Sequence, residues 1–176
     1  MFDSRASGIL LHPTCLPSRF GIGDLGKNAY QFIDFLSASD QQVWQILPLG
    51  PTGYGNSPYL CYSALAGNPL LISPELVHED GLLTEEDLAR LPDYPTDKVD
   101  YDLVIATKLP LLKLASNNFK NKASEQQLQN FQEFCDRHRE WLNDYALFMA
   151  LKEANGGVSW NKWDKEIVSR QPDAIE

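Results

Sequence analysis

Gly8-Ile9-Leu10-Leu11-His12-Pro13 and Val43-Trp44-Gln45-Ile46-Leu47-Pro48 are two short apolar runs, each closed by a proline. A continuous apolar run bounded by a breaker reads as a buried strand. Between them Leu25, Ala29, Phe32, Ile33 and Leu36 recur at offsets of four, three, one and three, which lays them along one helical face. Asp24 stands where a capping side chain is wanted, and the pattern fades at Ser37-Ala38-Ser39-Asp40. Strand, helix and strand within about forty residues predict a βαβ unit. Its strands should be parallel and its crossover right-handed, so the fold class is α/β.

Parallel α/β folds bind ligands at the carboxyl ends of their strands. Two loops leave those ends, at 12–23 and 48–69. The second is rich in Gly, Pro, Tyr, Ser and Asn. A loop so long in a compact domain is functional or disordered, and its tyrosines argue against disorder. Gly53 and Gly55 flank Tyr54, so the backbone should turn tightly and the ring project. Pro58 biases Ser57 to an extended conformation just ahead of Tyr59. Projecting tyrosines offer sugars a flat apolar face and a hydroxyl. The alternative is a loop pinned by buried tyrosines, and spacing alone does not decide between them. Phosphate is disfavoured: the glycine patterns that cradle it do not occur, and no lysine lies between residues 28 and 97.

Downstream the pattern turns mainly helical. Thr84 can cap a helix start at Glu85-Glu86-Asp87-Leu88, and Asp100 can cap one running toward Phe119, which Pro110 should kink or interrupt. Ser124 and Gln127 have capping-box spacing. Leu128, Phe131, Phe134, Cys135, Leu142, Tyr145, Phe148 and Met149 follow as an apolar stripe, with Asn155-Gly156-Gly157 as the stop. That stretch is long for one helix and allows a second boundary within 136–141. Trp160 and Trp163 fit either a stacking platform or an anchor for a helix end, and the tail beyond is polar.

A chain of 176 residues, 43% hydrophobic and 22% charged, is one globular domain or a piece of one. Its formal net charge of -9, with no basic cluster, sets it against nucleic acid and anionic membrane surfaces. No apolar run approaches the ~20 residues of a membrane helix, and Met1–Arg5 shows no charged leader before an apolar core, so no signal peptide is expected. Cys15, Cys61 and Cys135 are odd in number and widely spaced, which predicts reduced thiols and a cytoplasmic setting. No two histidines have metal-ligand spacing, so no metal site is expected. His12, at the end of the first strand, fits either a substrate contact or a structural hydrogen bond; His78 and His138 read as solvated.

Glycosidic chemistry needs two carboxyl groups. Asp24 is accounted for as a cap, Asp34 by the polar side of its helix, and Glu85, Glu86, Asp87, Asp100 and Asp102 by helix starts, where the dipole favours anions. No nucleophile or general acid is expected within the chain.

The stretches Ser7-Gly-Ile-Leu-Leu-His-Pro-Thr14, Leu16-Pro-Ser18, Gly21-Ile-Gly-Asp-Leu-Gly26, Trp44-Gln-Ile-Leu-Pro-Leu-Gly-Pro-Thr-Gly-Tyr-Gly55, Ser57-Pro-Tyr59, Ser63-Ala64 and Gly67-Asn-Pro-Leu-Leu-Ile72 together resemble the amylomaltase or disproportionating-enzyme family, glycoside hydrolase family 77. Asp144-Tyr-Ala-Leu-Phe-Met-Ala-Leu-Lys152 and Trp160-Asn-Lys-Trp163 are similar to it too. The resemblance covers nearly the whole chain in order.

It implies the first part of a (β/α)8 TIM barrel with an inserted helical subdomain. Residues 1–72 would be the first βα units with the substrate loop, and 73–176 the helical insertion. It also implies retaining transfer of α-1,4-glucan segments between maltooligosaccharides, starch or glycogen chains, with glucose as an acceptor and no cofactor. The attacking aspartate and protonating glutamate lie in the family's later strands, beyond residue 176. Tyr59, with Ser57 nearby, matches the sugar subsites beside the cleavage point. Tyr54 and Tyr101 match a second glucan-binding groove described for some members. Cys15 replaces a usual Ser, Asn56 a common Asp and Leu60 a common Gln. A carbohydrate-binding module without chemistry and a hydrolytic barrel glycosidase are the competing functional classes.

Overall fold

The computed structural model describes residues 5–175; Met1–Ser4, the start of the stretch searched for a leader, and Glu176 lie outside the described residues. Strands β1 (Gly8–Leu10) and β2 (Val43–Gln45) pair in parallel, with Gly8 opposite Val43, Ile9 opposite Trp44 and Leu10 opposite Gln45. Helix α1 (Lys27–Ala38) forms the connection between them, as the alternation of patterns predicts. Past Leu10 the register is extended by Leu11 N–H donating to the Gln45 carbonyl at 3.0 Å. The Trp44 indole N–H donates to the Leu11 carbonyl at 2.7 Å, and the Phe32 ring meets Trp44 edge-on at 5.0 Å, seating α1 on the sheet.

The expectation that both runs are buried fails. Ile9, Leu10 and Ile46 are exposed, because a two-stranded sheet has two bare edges and the single crossover helix leaves much of it uncovered. The α1 stripe is likewise half used: Ala29 and Leu36 are buried, whereas Leu25 and Ile33 stay exposed. Asp24 is not the helix cap. Gly26 occupies that position without a side-chain bond, and Asp24 Oδ1 accepts from Gly26 N–H at 2.9 Å in the turn that leads into α1.

The chain divides into two compact units, one up to Leu128 and one from Gln129. In the first, α2 (Pro74–Glu79) is capped by Ser73, and α3 (Glu85–Ala89) by a reciprocal box between Thr84 and Asp87. Helix α4 (Tyr101–Lys122) is capped by Asp100, whose carboxylate accepts from Leu103 N–H at 3.1 Å. Pro110 does not interrupt α4. Proline removes the bond to the carbonyl four residues back, but Pro110 and Ala106 both lie on the exposed side, where water can satisfy that carbonyl. On the opposite side Val104, Lys108, Leu111 and Ala115 are buried and hold the helix against the rest of the unit. Two apolar clusters form there: Phe20, Leu83, Leu88, Leu111 and Ala115, and Ile22 with Leu70 and Val104.

Helix α5 (Glu125–Ala154) starts from the Ser124–Gln127 box, with Ser124 N–H donating to Gln127 Oε1 at 2.8 Å and Gln127 N–H to Ser124 Oγ at 3.2 Å. It runs unbroken through 136–141 and ends where Gly156 and Gly157 adopt φ of 64° and 76°. The second unit carries the rest of α5 with the short helices α6 (Lys165–Val168) and α7 (Pro172–Ile175). There Trp163 acts as an anchor: its ring lies 5.7 Å from Phe148 and its indole N–H donates to the Val158 carbonyl at 3.2 Å, while Trp160 stays exposed. Among the described residues no helix is long and apolar enough to cross a membrane, and Cys15, Cys61 and Cys135 are all free thiols.

Candidate functional site

The loop after β2 folds back on itself as a small hairpin. Thr52 and Cys61 form an antiparallel bridge, Gly53 N–H donates to the Leu60 carbonyl at 2.7 Å, and Tyr62 N–H to the Pro51 carbonyl at 3.0 Å. Its tip is a 3-10 turn over Tyr54–Asn56 in which Gly55 and Asn56 take φ of 66° and 53°. Glycine takes that left-handed conformation freely, and asparagine is among the few other residues that do. Here the glycine beside Tyr54 performs the turn its spacing predicts.

At this tip Tyr54 is 89% and Tyr59 70% exposed. The loop is therefore not pinned by buried tyrosines; the two rings project. Ser57 lies between them, and its hydroxyl accepts from Tyr59 N–H at 3.3 Å. Tyr54, Ser57 and Tyr59 thus share one hairpin tip. Tyr101 belongs elsewhere: it opens α4 and packs, half-buried, against the cluster of Ile22, Leu70 and Val104. A pocket of about 740 Å³ opens between residues 14–23 and 95–99, with Cys15, Arg19, Asn28 and Lys98 in its wall and neither Tyr54 nor Tyr59 among its lining.

The base of the loop is held by backbone. Asn68 N–H donates to the Leu49 carbonyl at 2.8 Å, and the buried Asn68 side chain accepts from Leu70 N–H at 3.0 Å. His12 ties the loop after β1 to this one. A carbonyl oxygen only accepts, so Nε2, 3.4 Å from the Pro48 carbonyl, carries the ring proton, and Nδ1 accepts from the Thr14 hydroxyl at 2.7 Å. Both ring nitrogens thus have partners within the protein, which accords with the structural hydrogen-bonding alternative for His12. His78 is not simply solvated: its Nδ1 lies 2.8 Å from the Leu83 carbonyl and its Nε2 3.7 Å from Glu85. His138 packs its ring 4.6 Å from Phe134 and accepts from the Trp141 indole at 3.4 Å. Polar sequence neighbours conceal such contacts, because the partners sit one helical turn away or across a loop.

Sequence reasoning missed a buried ion pair. Lys108 Nζ, on a side chain only 1% exposed, lies 3.6 Å from Asp24 Oδ2 and donates to the Leu70 carbonyl at 2.7 Å. Desolvation lowers the Lys108 ammonium to a pKa of about 8, against the opposing attraction of Asp24. Burial raises the Asp24 carboxyl above its usual value, while Lys108 and the Gly26 N–H pull it back. A detectable signal existed: Val104, Lys108, Leu111 and Ala115 recur at four, three and four, which puts a lysine on an apolar stripe.

Chemically, the hairpin tip offers two exposed rings and a hydroxyl suited to stacking and hydrogen bonding. Asp24, the buried carboxylate among the described residues, is committed to Gly26 and Lys108. Among the described residues no three His, Cys, Asp or Glu side chains gather to hold a metal ion.

Comparison with known proteins agrees with the resemblance seen in the motifs. Residues 11–176 match the glycoside hydrolase 77 model, described as 4-alpha-glucanotransferase. The chain is 57% identical over 176 residues to a 4-alpha-glucanotransferase of Synechocystis sp., all of this chain against 35% of the relative. It is 48% identical over 171 residues to one of Thermus thermophilus, 97% of this chain against 33% of the relative. Amylomaltase from Streptococcus agalactiae in complex with acarbose superposes with a TM-score of 0.90 at 39% identity, over 98% of this chain and 34% of that one. The chain thus spans about a third of the length of the curated relatives it matches. With the family model covering nearly all of it, and the relatives aligned along its whole length, this chain belongs to the 4-alpha-glucanotransferase family, glycoside hydrolase 77.

Proposed function

We propose that this chain is the front part of a 4-alpha-glucanotransferase that moves α-1,4-glucan segments between maltooligosaccharides or starch and glycogen chains, with glucose as a small acceptor. On this reading β1, α1 and β2 are the opening units of a (β/α)8 barrel, residues 1–72 carry the substrate loop, and 73–176 form a helical insertion. Parallel pairing with a helical crossover supports the barrel assignment. The exposed apolar groups Ile9, Leu10 and Ile46 are what such strands present before their neighbours are added. Three free cysteines support a cytoplasmic setting.

The observation that carries the proposal is the pair of projecting rings, Tyr54 and Tyr59, on a hairpin closed at its base by Asn68 and Leu49. Tyr59 with Ser57 would line the sugar subsites beside the cleaved bond, and Tyr54 and Tyr101 a second glucan groove. Family relatives are named for transfer, and the solved amylomaltase carries acarbose, which supports an oligosaccharide ligand. The nucleophile and the acid/base would be an aspartate and a glutamate in the rest of the protein, ~5–5.5 Å apart as a retaining mechanism requires.

Incubating the full-length protein with maltotriose tests this. Transfer releases glucose together with oligomers longer than maltotriose. Glucose and maltose alone would mean hydrolysis, and an unchanged substrate that still binds would mean a sugar-binding module.

A further inference from the structure

The buried lysine has no part in the sugar-binding reading, yet it sits at the junction from which the tyrosine hairpin is held. Three hydrogen bonds connect the two. Lys108 Nζ donates to the Leu70 carbonyl at 2.7 Å. Leu70 N–H donates to the Asn68 side chain at 3.0 Å. Asn68 N–H donates to the Leu49 carbonyl at 2.8 Å, closing the base of the hairpin. One residue on, the Leu71 carbonyl accepts from Leu25 N–H at 2.9 Å, so the segment 68–71 is gripped from the Asp24 turn as well. Every link is in the same compact unit, and Asn68, Leu70, Leu71, Asp24 and Lys108 are all buried.

An apolar side chain would fill the Lys108 position if packing were its sole duty. Val104, Leu111 and Ala115 do so on the same stripe. A buried ammonium is retained at a penalty that only specific partners offset, and here both partners belong to the segments that frame the hairpin base. Leu70 lies in a 3-10 turn over Pro69–Leu71 in which the Pro69 carbonyl accepts from Ile72 N–H at 3.1 Å, whereas the Leu70 carbonyl is met from outside the turn by Lys108.

We infer that Lys108 is a positioning residue for the tyrosine hairpin: by holding the Leu70 carbonyl and the Asp24 turn it fixes the base from which Tyr54 and Tyr59 are presented to glucan. This rests on the proposed sugar-binding role of those rings. Without the tether, the rings remain on the chain, but their arrangement must be ordered anew at each binding event. Ordering a loop on binding weakens affinity and leaves the chemistry itself largely alone.

The test uses full-length protein carrying Asp24→Asn with Lys108→Met, which removes the tether without leaving either charge buried alone. Two readouts are taken beside a urea melt. The first is the rate of chymotrypsin cleavage after Tyr54 and Tyr59. The second is the split between KM and kcat on maltotriose. The expectation for a folded variant is cleavage at the hairpin about tenfold faster, with KM raised about tenfold and kcat kept within about threefold. Cleavage and KM both at wild-type values in a folded variant would overturn the inference, as would a fall in kcat alone. Faster cleavage with unchanged KM would also overturn it, since the hairpin would then be loosened without consequence for sugar. Should the wild type show no transfer, the proposed function fails while the cleavage arm still reports on the tether.

If the double variant does not fold, hydrogen exchange on the wild type replaces it. Asn68 and Leu25 amides should open together with one free energy. Asn68 exchanging about a hundredfold faster than Leu25 would show a hairpin base that Lys108 does not hold.

Discussion

Lys108 and Asp24 lie 84 positions apart in the chain and 3.6 Å apart in space, both nearly sealed from solvent. Removing one partner of such a pair is far worse than removing both, because the survivor is a buried charge with nothing to balance it. Lys108→Met should lower unfolding free energy by about 3–5 kcal/mol, whereas Asp24→Asn with Lys108→Met should fall well short of that. Urea denaturation of the three proteins decides it. A double variant as unstable as the single one would mean the charges do not act as a pair.

The same pair sets a pH dependence. The folded protein holds the Lys108 proton only to about pH 8, while the unfolded chain keeps it to the ordinary value of 10.5. Between those values the unfolded state binds more protons, so stability rises with pH from this group. Measured as a difference between wild type and the Asp24→Asn, Lys108→Met variant, other titrating groups cancel. The wild type should therefore gain relative to the variant between pH 7.5 and 10. A flat or falling difference would contradict the lowered lysine value.

Two glycines with similar backbones should respond differently to alanine. Gly21 has φ of 75° and a Cβ there would stand 2.3 Å from the Tyr94 ring, whereas Gly55 has φ of 66° and open space around it. Gly55→Ala should lose about 1–2 kcal/mol, the left-handed penalty alone. Gly21→Ala adds a clash inside the core and should lose at least about 1–3 kcal/mol more. Thermal melts of the two variants should separate clearly; coincident Tm values would mean that Tyr94 yields without strain.

Tyr54→Ala and Tyr59→Ala remove rings that touch little of the folded protein. Each should change stability by no more than about 0.5 kcal/mol. In the full-length protein Tyr59→Ala should nonetheless lower kcat/KM on maltooligosaccharides about tenfold or more, through lost stacking worth roughly 1–2 kcal/mol. Unchanged kcat/KM would remove Tyr59 from the sugar site.

What was legible in the sequence was local. Asp100 with Leu103, Thr84 with Asp87, and Ser124 with Gln127 act over three residues, and the chain order alone specifies them. The parallel pairing was legible as well, because a helix between two apolar runs leaves few other topologies. Burial was not legible for Ile9 or Leu10, since it depends on which strands and helices lie alongside. Nor was the role of Asp24, which a capping reading explained sufficiently until Lys108 arrived from a distant helix. Of the two outcomes the sequence allowed for Pro110, interruption does not occur: the helix continues where the carbonyl that the proline strands lies on the exposed side. Of the four site candidates, the loop's own sequence singled out Tyr54 and Tyr59, while Ser57 and Tyr101 were brought in by likeness to the family; Ser57 shares the hairpin tip with the two rings and Tyr101 stands in another element.

The imidazole of His12 grips the loop after β1 through Thr14 and the loop after β2 through Pro48. Two separate loops would each have to freeze when a guest arrives. Clasped by one ring, they have already surrendered part of that freedom during folding, so a visiting chain meets a single stiff rim instead of two wandering ones.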